Sequence, residues 1–282
     1  MPKAALIASE SNTIPTVWPS GAACVSAAVP VTVEAPGARL CVRTGGAGRD
    51  VVLLPSLGRG SDDFDRLGAD LVAAGFRVVL PEPRGIPPSI ALERPATLHD
   101  LANDVACAIR ATCSTPVTVL GHALGNRIAR TLASDHPDLV RDVILVACGG
   151  LVPLAPDVHH ALGACFRLDA PEAEHLSHVA RAFFADPSRA VVWRGGWHPE
   201  VAAFQGAATN ATRTEDWWLG GGKEMLVLQP AYDAVAPPEN ARLLAEALGS
   251  QVRVVEIADA GHAALPEQPE AIARAALQFL RR

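Results

Sequence analysis

The sequence predicts an α/β architecture: an open, mostly parallel sheet with helices on both faces and a helical lid inserted late in the chain. Three observations carry this. Short continuous apolar runs alternate with segments of helical periodicity. The runs lack the polar–apolar alternation of half-exposed strands, and the rhythm stops at Gly150 and resumes near residue 223. Uninterrupted apolar runs belong to strands buried on both faces, as in parallel sheets covered on each side.

Taken in order, residues 1–28 read as an N-terminal arm. "MPKAALIASE" has a single lysine and an apolar stretch too short for a secretory leader. "VTVEA" and "RLCVR", joined by "PGA", form a β entry, and "DVVLLP" is the first buried strand. "DDFDRLGADLVAAG" sets Phe64, Leu67, Leu71 and Val72 at helical spacing. "FRVVLP", "PVTVLG" and "VRDVILVA" are strands, separated by the helices "TLHDLANDVACAIRAT" and "LGNRIARTLASDHP". Residues 151–222 hold no convincing buried strand, yet carry four of the five tryptophans and five of the nine histidines. This stretch is the expected lid; 29–150 and 223–282 form the core. "EMLVLQP", "PPENARLLAEALG", "QVRVVEI" and "PEAIARAALQFLRR" close it as strand, helix, strand and helix.

Composition narrows the function. A net charge of −6 argues against an electrostatic grip on nucleic acid or acidic membranes. No apolar run reaches the roughly 20 residues needed to span a bilayer. Six cysteines without a CxxC pair point to a reduced, cytoplasmic protein. His175 and His178 share a helical face but lack a carboxylate or cysteine at matching spacing, so no metal site is expected.

The chemistry begins at "LGHALGNRIA", residues 120–129. A strand, a turn of pattern G-x-A-x-G and a helix make the context of a nucleophile elbow, in which small residues flank the attacking side chain. Here the central residue is Ala123. Asp233 follows the strand "EMLVLQP", where an acid would orient a histidine, and His262 follows the last strand beside a glycine. Nucleophile, acid, base is the chain order that accompanies an elbow of this kind.

From about residue 30 onward the chain resembles α/β-hydrolase fold enzymes of the serine esterase and lipase type. The resemblance rests on the elbow at 121–125, "DAVAPPENA" from Asp233, and "AGH" at 260–262. It implies that His262 is the general base, that Asp233 holds its tautomer, and that the Leu124 N–H is one oxyanion donor. The second donor is expected from "LLPSLGRGSDDF", where Pro55 and Ser56 replace the family's His-Gly and Leu57 is the donor by position. Ser56 or Arg59 is expected to face the pocket, unless Ser56 only caps its own loop. "PEPRGIPPS" resembles a structural loop of the family, so Arg84 is assigned no chemistry, and His122 is expected to pack beneath the turn.

Eight of the thirteen aromatics fall within the lid, among them Trp193, Trp197, Trp217 and Trp218 as candidate substrate contacts. They imply a roomy, apolar pocket for a bulky acyl or aromatic group. The expected activity is hydrolysis of a small-molecule carboxylic ester without metal or organic cofactor, by a monomer or homodimer. Lactone opening and C–C bond hydrolysis are open within the same fold. Three readings of Ala123 stand: a serine deliberately replaced, a natural non-catalytic ligand-binding homologue, or an Asp-His pair that activates water or another nucleophile such as Ser56.

Overall fold

The computed structural model describes residues 30–282, so the expected arm at 1–28 lies outside the described residues. Strands β1 (Val31–Ala35) and β2 (Ala38–Gly46) pair as an antiparallel hairpin. Gly37 in its turn takes φ +70°, a left-handed conformation that side chains resist. β3 (Asp50–Leu54), β4 (Arg77–Pro81), β6 (Val117–His122), β7 (Val140–Val146), β8 (Glu224–Pro230) and β9 (Val252–Ile257) run parallel. The order across the sheet is β1-β2-β4-β3-β6-β7-β8-β9, with the two-residue β5 (Ile90–Ala91) paired to β2.

Every residue of β3 and β6 is buried, which is why their sequences show no alternation. Successive side chains of a strand still point to opposite faces. Val51 and Leu53 join Phe64, Leu71 and Phe279 on one face, beneath α1 (Asp65–Ala73) and α10 (Pro269–Leu280). Val52 and Leu54 join Ala102, Leu132 and Leu244 on the other, beneath α2 (Leu98–Thr112), α3 (Leu124–Asp135) and α8 (Glu239–Leu248).

Between β7 and β8 the chain forms α4 (Pro156–Ala164), α5 (Glu172–Phe183), a 3-10 stretch (Pro187–Trp193), α6 (Pro199–Ala211) and α7 (Thr214–Trp217). No strand interrupts them among the described residues. A single turn, α9 (Ala264–Glu267), precedes α10. No helix among the described residues is long and apolar enough to cross a membrane.

The loop after β4 is anchored by a buried ion pair. Arg84 donates to both carboxylate oxygens of Asp104 on α2 at 2.6 Å, and further to the Pro36 and Glu93 carbonyl oxygens. All of its bonding ties secondary structure together.

Candidate active site

β6 ends at His122 and α3 begins at Leu124, so Ala123 alone turns the chain from strand to helix. It does so at φ 51° and ψ −108°, a conformation that costs a residue with a Cβ about 1–3 kcal/mol. The turn is held by two bonds: the Ala123 N–H donates to the Val146 carbonyl and the Asn126 N–H to the Ala123 carbonyl, both at 3.1 Å. The flanking glycines are sterically required. A Cβ on Gly121 would lie 2.3 Å from the Gly125 carbonyl group, and one on Gly125 would lie 2.1 Å from the Leu54 carbonyl oxygen.

The ends of β8 and β9 bring Asp233 and His262 to this turn. His262 Nδ1 lies 2.9 and 3.0 Å from the two Asp233 carboxylate oxygens. Asp233 Oδ1 also accepts from the Val235 and Ala236 N–H groups at 3.0 and 2.7 Å. A carboxylate fixed as acceptor assigns the proton to Nδ1 and leaves Nε2 with a free lone pair. Both side chains are buried, at 3% and 0% exposure.

His122 is not a competing base. It is fully buried, and its Nε2–H donates to the His262 carbonyl oxygen at 2.8 Å, fixing the backbone of the histidine loop. Burial, reinforced by the neighbouring His262, pushes its pKa down to about 3, so the ring is neutral.

The loop after β3 supplies the facing wall. Gly58 is held from both sides: its N–H donates to Gln205 Oε1 at 2.8 Å and its carbonyl accepts from the His198 N–H at 2.9 Å. The N–H groups of Leu57 and Leu124, the two expected oxyanion donors, have no protein acceptor among the described residues. Arg59 is fully engaged. It binds both carboxylate oxygens of Asp63 at 2.7 and 2.5 Å, donates to the Gly195 carbonyl, and stacks 4.5 and 4.8 Å from the rings of Trp193 and Trp197. Burial raises the Asp63 pKa and Arg59 opposes that rise.

These groups enclose a cavity of about 230 Å³. Ala123, Leu124, Leu57, Ser56 and His262 line it, with Phe166, Phe183, Trp193 and Trp197 on the apolar side. Ligand pockets typically measure about 300–1,000 Å³, so this one is smaller than the aromatic content led us to expect. The reason is that the rings pack on one another: Trp193 and Trp197 lie 6.0 Å apart and Phe183 contacts both. A larger groove of about 630 Å³ lies over Leu176, Phe184 and Val191 on the outer side of α5 and contains none of the residues that meet at the elbow.

Two expected substrate contacts lie elsewhere. Trp217 and Trp218 stack on the buried guanidinium of Arg130, at 4.7 and 4.8 Å, inside the core cluster beneath α3. Their burial serves the junction of α7 with α3, and neither reaches the cavity. Arg59, a candidate for facing the pocket, does line it; two residues of the site were missed from sequence, Gln205 and Arg127. For Arg127 a signal existed, since it follows Ala123 by four residues on the same helix face.

Comparison with known proteins bears on the fold. Residues 51–171 match the family model for the alpha/beta hydrolase fold, and residues 202–282 that of TAP-like protein. A protein named as a carbamate hydrolase from Variovorax paradoxus is 38% identical over 105 residues, 36% of this chain and only 39% of that one. A protein named as a non-heme bromoperoxidase from Mycobacterium tuberculosis is 26% identical over 222 residues, covering 74% of this chain and 84% of that one. Among solved structures, an enol-lactonase from Burkholderia xenovorans superposes with a TM-score of 0.73 at 25% identity, covering 89% of this chain and all of that one. A thermophilic esterase from Thermogutta terrifontis gives a TM-score of 0.72 at 23% identity, covering 90% and 98%.

Proposed function

The chain belongs to the α/β-hydrolase fold superfamily, and on that premise we propose that it is a carboxylic ester hydrolase of the Ser-His-Asp type in which alanine occupies the nucleophile's position. The observation that carries the reading is the left-handed backbone of Ala123. An alanine gains nothing from a strained turn, whereas a serine there would present its Oγ to both the base and the oxyanion donors. The retained Asp233–His262 pair supports the same reading, as do the unpaired Leu57 and Leu124 N–H groups.

In the serine form, Oγ attacks the ester carbonyl carbon while His262 Nε2 takes its proton. Negative charge gathers on the carbonyl oxygen, which accepts from Leu57 and Leu124. Asp233 holds the imidazole and stabilises its cation. The intermediate collapses, His262 protonates the departing alcohol, and water repeats the sequence on the acyl-enzyme. With Ala123 in place, the substrate is bound and left intact. The cavity volume favours a compact apolar or aromatic ester, covered by the helices of 151–222.

The test is hydrolysis of p-nitrophenyl esters, from acetate to dodecanoate, by this chain and by Ala123→Ser. The serine form is expected to be faster by about 10⁴-fold or more, with a preference for the shorter acyl chains. Equal inertness of both forms would overturn the reading in favour of a non-catalytic ligand-binding protein.

A further inference from the structure

Arg127 is the one ionised group on the cavity wall that no opposite charge answers among the described residues. The other cation there, Arg59, is matched by Asp63, and the His262 ring is hydrogen-bonded to Asp233. Arg127 lies one helical turn beyond Ala123 on α3, so its side chain leaves the same helix face about 6 Å further along the axis. It lines the cavity together with Gly149 and Asn210. Its guanidinium stands 5.4 Å from the Trp217 ring centre, which covers a face of the group, and its Nη2 lies 3.6 Å from where a Cβ on Gly149 would sit.

The contrast with Arg130 is informative. Arg130, one turn later, donates to the Asn126 and Gly149 carbonyls, the Asn126 side chain and the Trp218 carbonyl. Its charge is consumed by the fold. The in-plane N–H donors of Arg127 are all unused among the described residues. A guanidinium presents these donors as a rigid fork that matches a carboxylate. Gly149 has no side chain to stand in front of it. Partial burial in the wall lowers the Arg127 pKa, a desolvation cost that an anion joining the guanidinium would offset.

We propose that Arg127 recognises a free carboxylate on the substrate, so that the ester held at position 123 is the half-ester of a short dicarboxylic acid. The proposal rests on the ester-hydrolase reading above and specifies its substrate class. The ester carbonyl sits at Ala123 between the Leu57 and Leu124 donors, and the distal carboxylate reaches one turn along α3 to the guanidinium. The same compact cavity that disfavours long acyl chains suits this short span.

The ligands that test it are monomethyl glutarate and its neutral counterpart dimethyl glutarate, titrated calorimetrically into this chain, which leaves both esters intact. The half-ester is expected to bind about tenfold or more tightly than the diester. That preference should vanish in Arg127→Gln and be partly retained in Arg127→Lys, which keeps the charge without the fork. It should also fade in the unsubstituted chain as pH falls through the carboxyl range near 4; this arm does not depend on any variant folding. No preference for the half-ester, or an equal loss of both ligands in Arg127→Gln, would overturn the proposal. The two readings fail separately. If Ala123→Ser cleaves the diester yet shows no preference in kcat/KM for the half-ester, the carboxylate site is wrong and the hydrolase stands. If the half-ester binds through Arg127 but the serine form is inert to both, the anion site stands and the hydrolase reading falls.

Discussion

Removing a single methyl group from the elbow should stabilise this protein. Ala123 occupies φ 51°, ψ −108°, where a residue bearing a Cβ is strained by about 1–3 kcal/mol. Glycine adopts that region freely, but its larger freedom in the unfolded chain returns about 0.5–1 kcal/mol of the gain. The net expectation for Ala123→Gly is a stabilisation of about 1 kcal/mol. In a chain of this size that corresponds to about 2 °C in Tm. The matched control is Ala129→Gly, the same chemical change six residues along at a fully buried position inside α3. There glycine should cost about 1 kcal/mol in helix propensity, with a further loss from the vacated space. Urea titration and calorimetry on the two variants should therefore give opposite signs. A loss of stability in Ala123→Gly equal to that in Ala129→Gly would refute the strain argument, and with it the main support for a displaced serine.

Three further outcomes are expected. In the serine form, Asp233→Asn should lower kcat by about 10⁴-fold with the fold intact, because an amide that donates to His262 imposes the wrong tautomer. Steady-state kinetics beside a melting curve checks this. Arg84→Ala should cost about 3–5 kcal/mol in urea unfolding, since it strands the buried carboxylate of Asp104, whose pKa burial already raises. Two buried groups should shape stability against pH in opposite senses. His122, held near 3 in the fold and 6.5 when unfolded, takes up its proton only on unfolding, so it costs up to about 1.4 kcal/mol per unit as pH falls from 6.5 toward 3. Glu82, raised from 4.5 to about 7 mainly by burial, binds its proton more tightly in the fold, so its contribution is lost as pH rises from 4.5 to 7. Glu82→Gln should thus make stability climb more steeply with pH between 4.5 and 6.5 than in the parent chain, where the two slopes offset each other.

The core of the fold was legible because burial on both faces erases alternation, and β3, β6, β7 and β8 announce themselves as unbroken apolar runs. The short β5 carried no such signal: two residues paired to a neighbouring strand have no period. At the site, Ala123, Asp233 and His262 were readable because each follows a strand of a parallel sheet, where loops converge. What the sequence left hidden was direction. Four tryptophans in one segment look alike on paper, yet Trp193 and Trp197 line the cavity while Trp217 and Trp218 clasp Arg130 in the core. That division depends on how α7 meets α3, which is a tertiary matter. The pocket's size was misjudged for the same reason, because aromatic rings that stack on each other fill space instead of enclosing it.

The double grip on Gly58 bears on how substrate enters. α6 and the residue before it hold that glycine through Gln205 and His198, one position along from the expected donor at Leu57. Across the cavity, the end of α5 is bound to the histidine loop, with the Phe183 carbonyl accepting from Ala263 and the Ala185 and Asp186 N–H groups donating to Glu267. The helices between β7 and β8 are therefore a keystone wedged between two halves of the machinery. Lifting them as a unit would slacken the oxyanion loop and the histidine loop together. A rigid-body opening would have to break both sets of bonds at once.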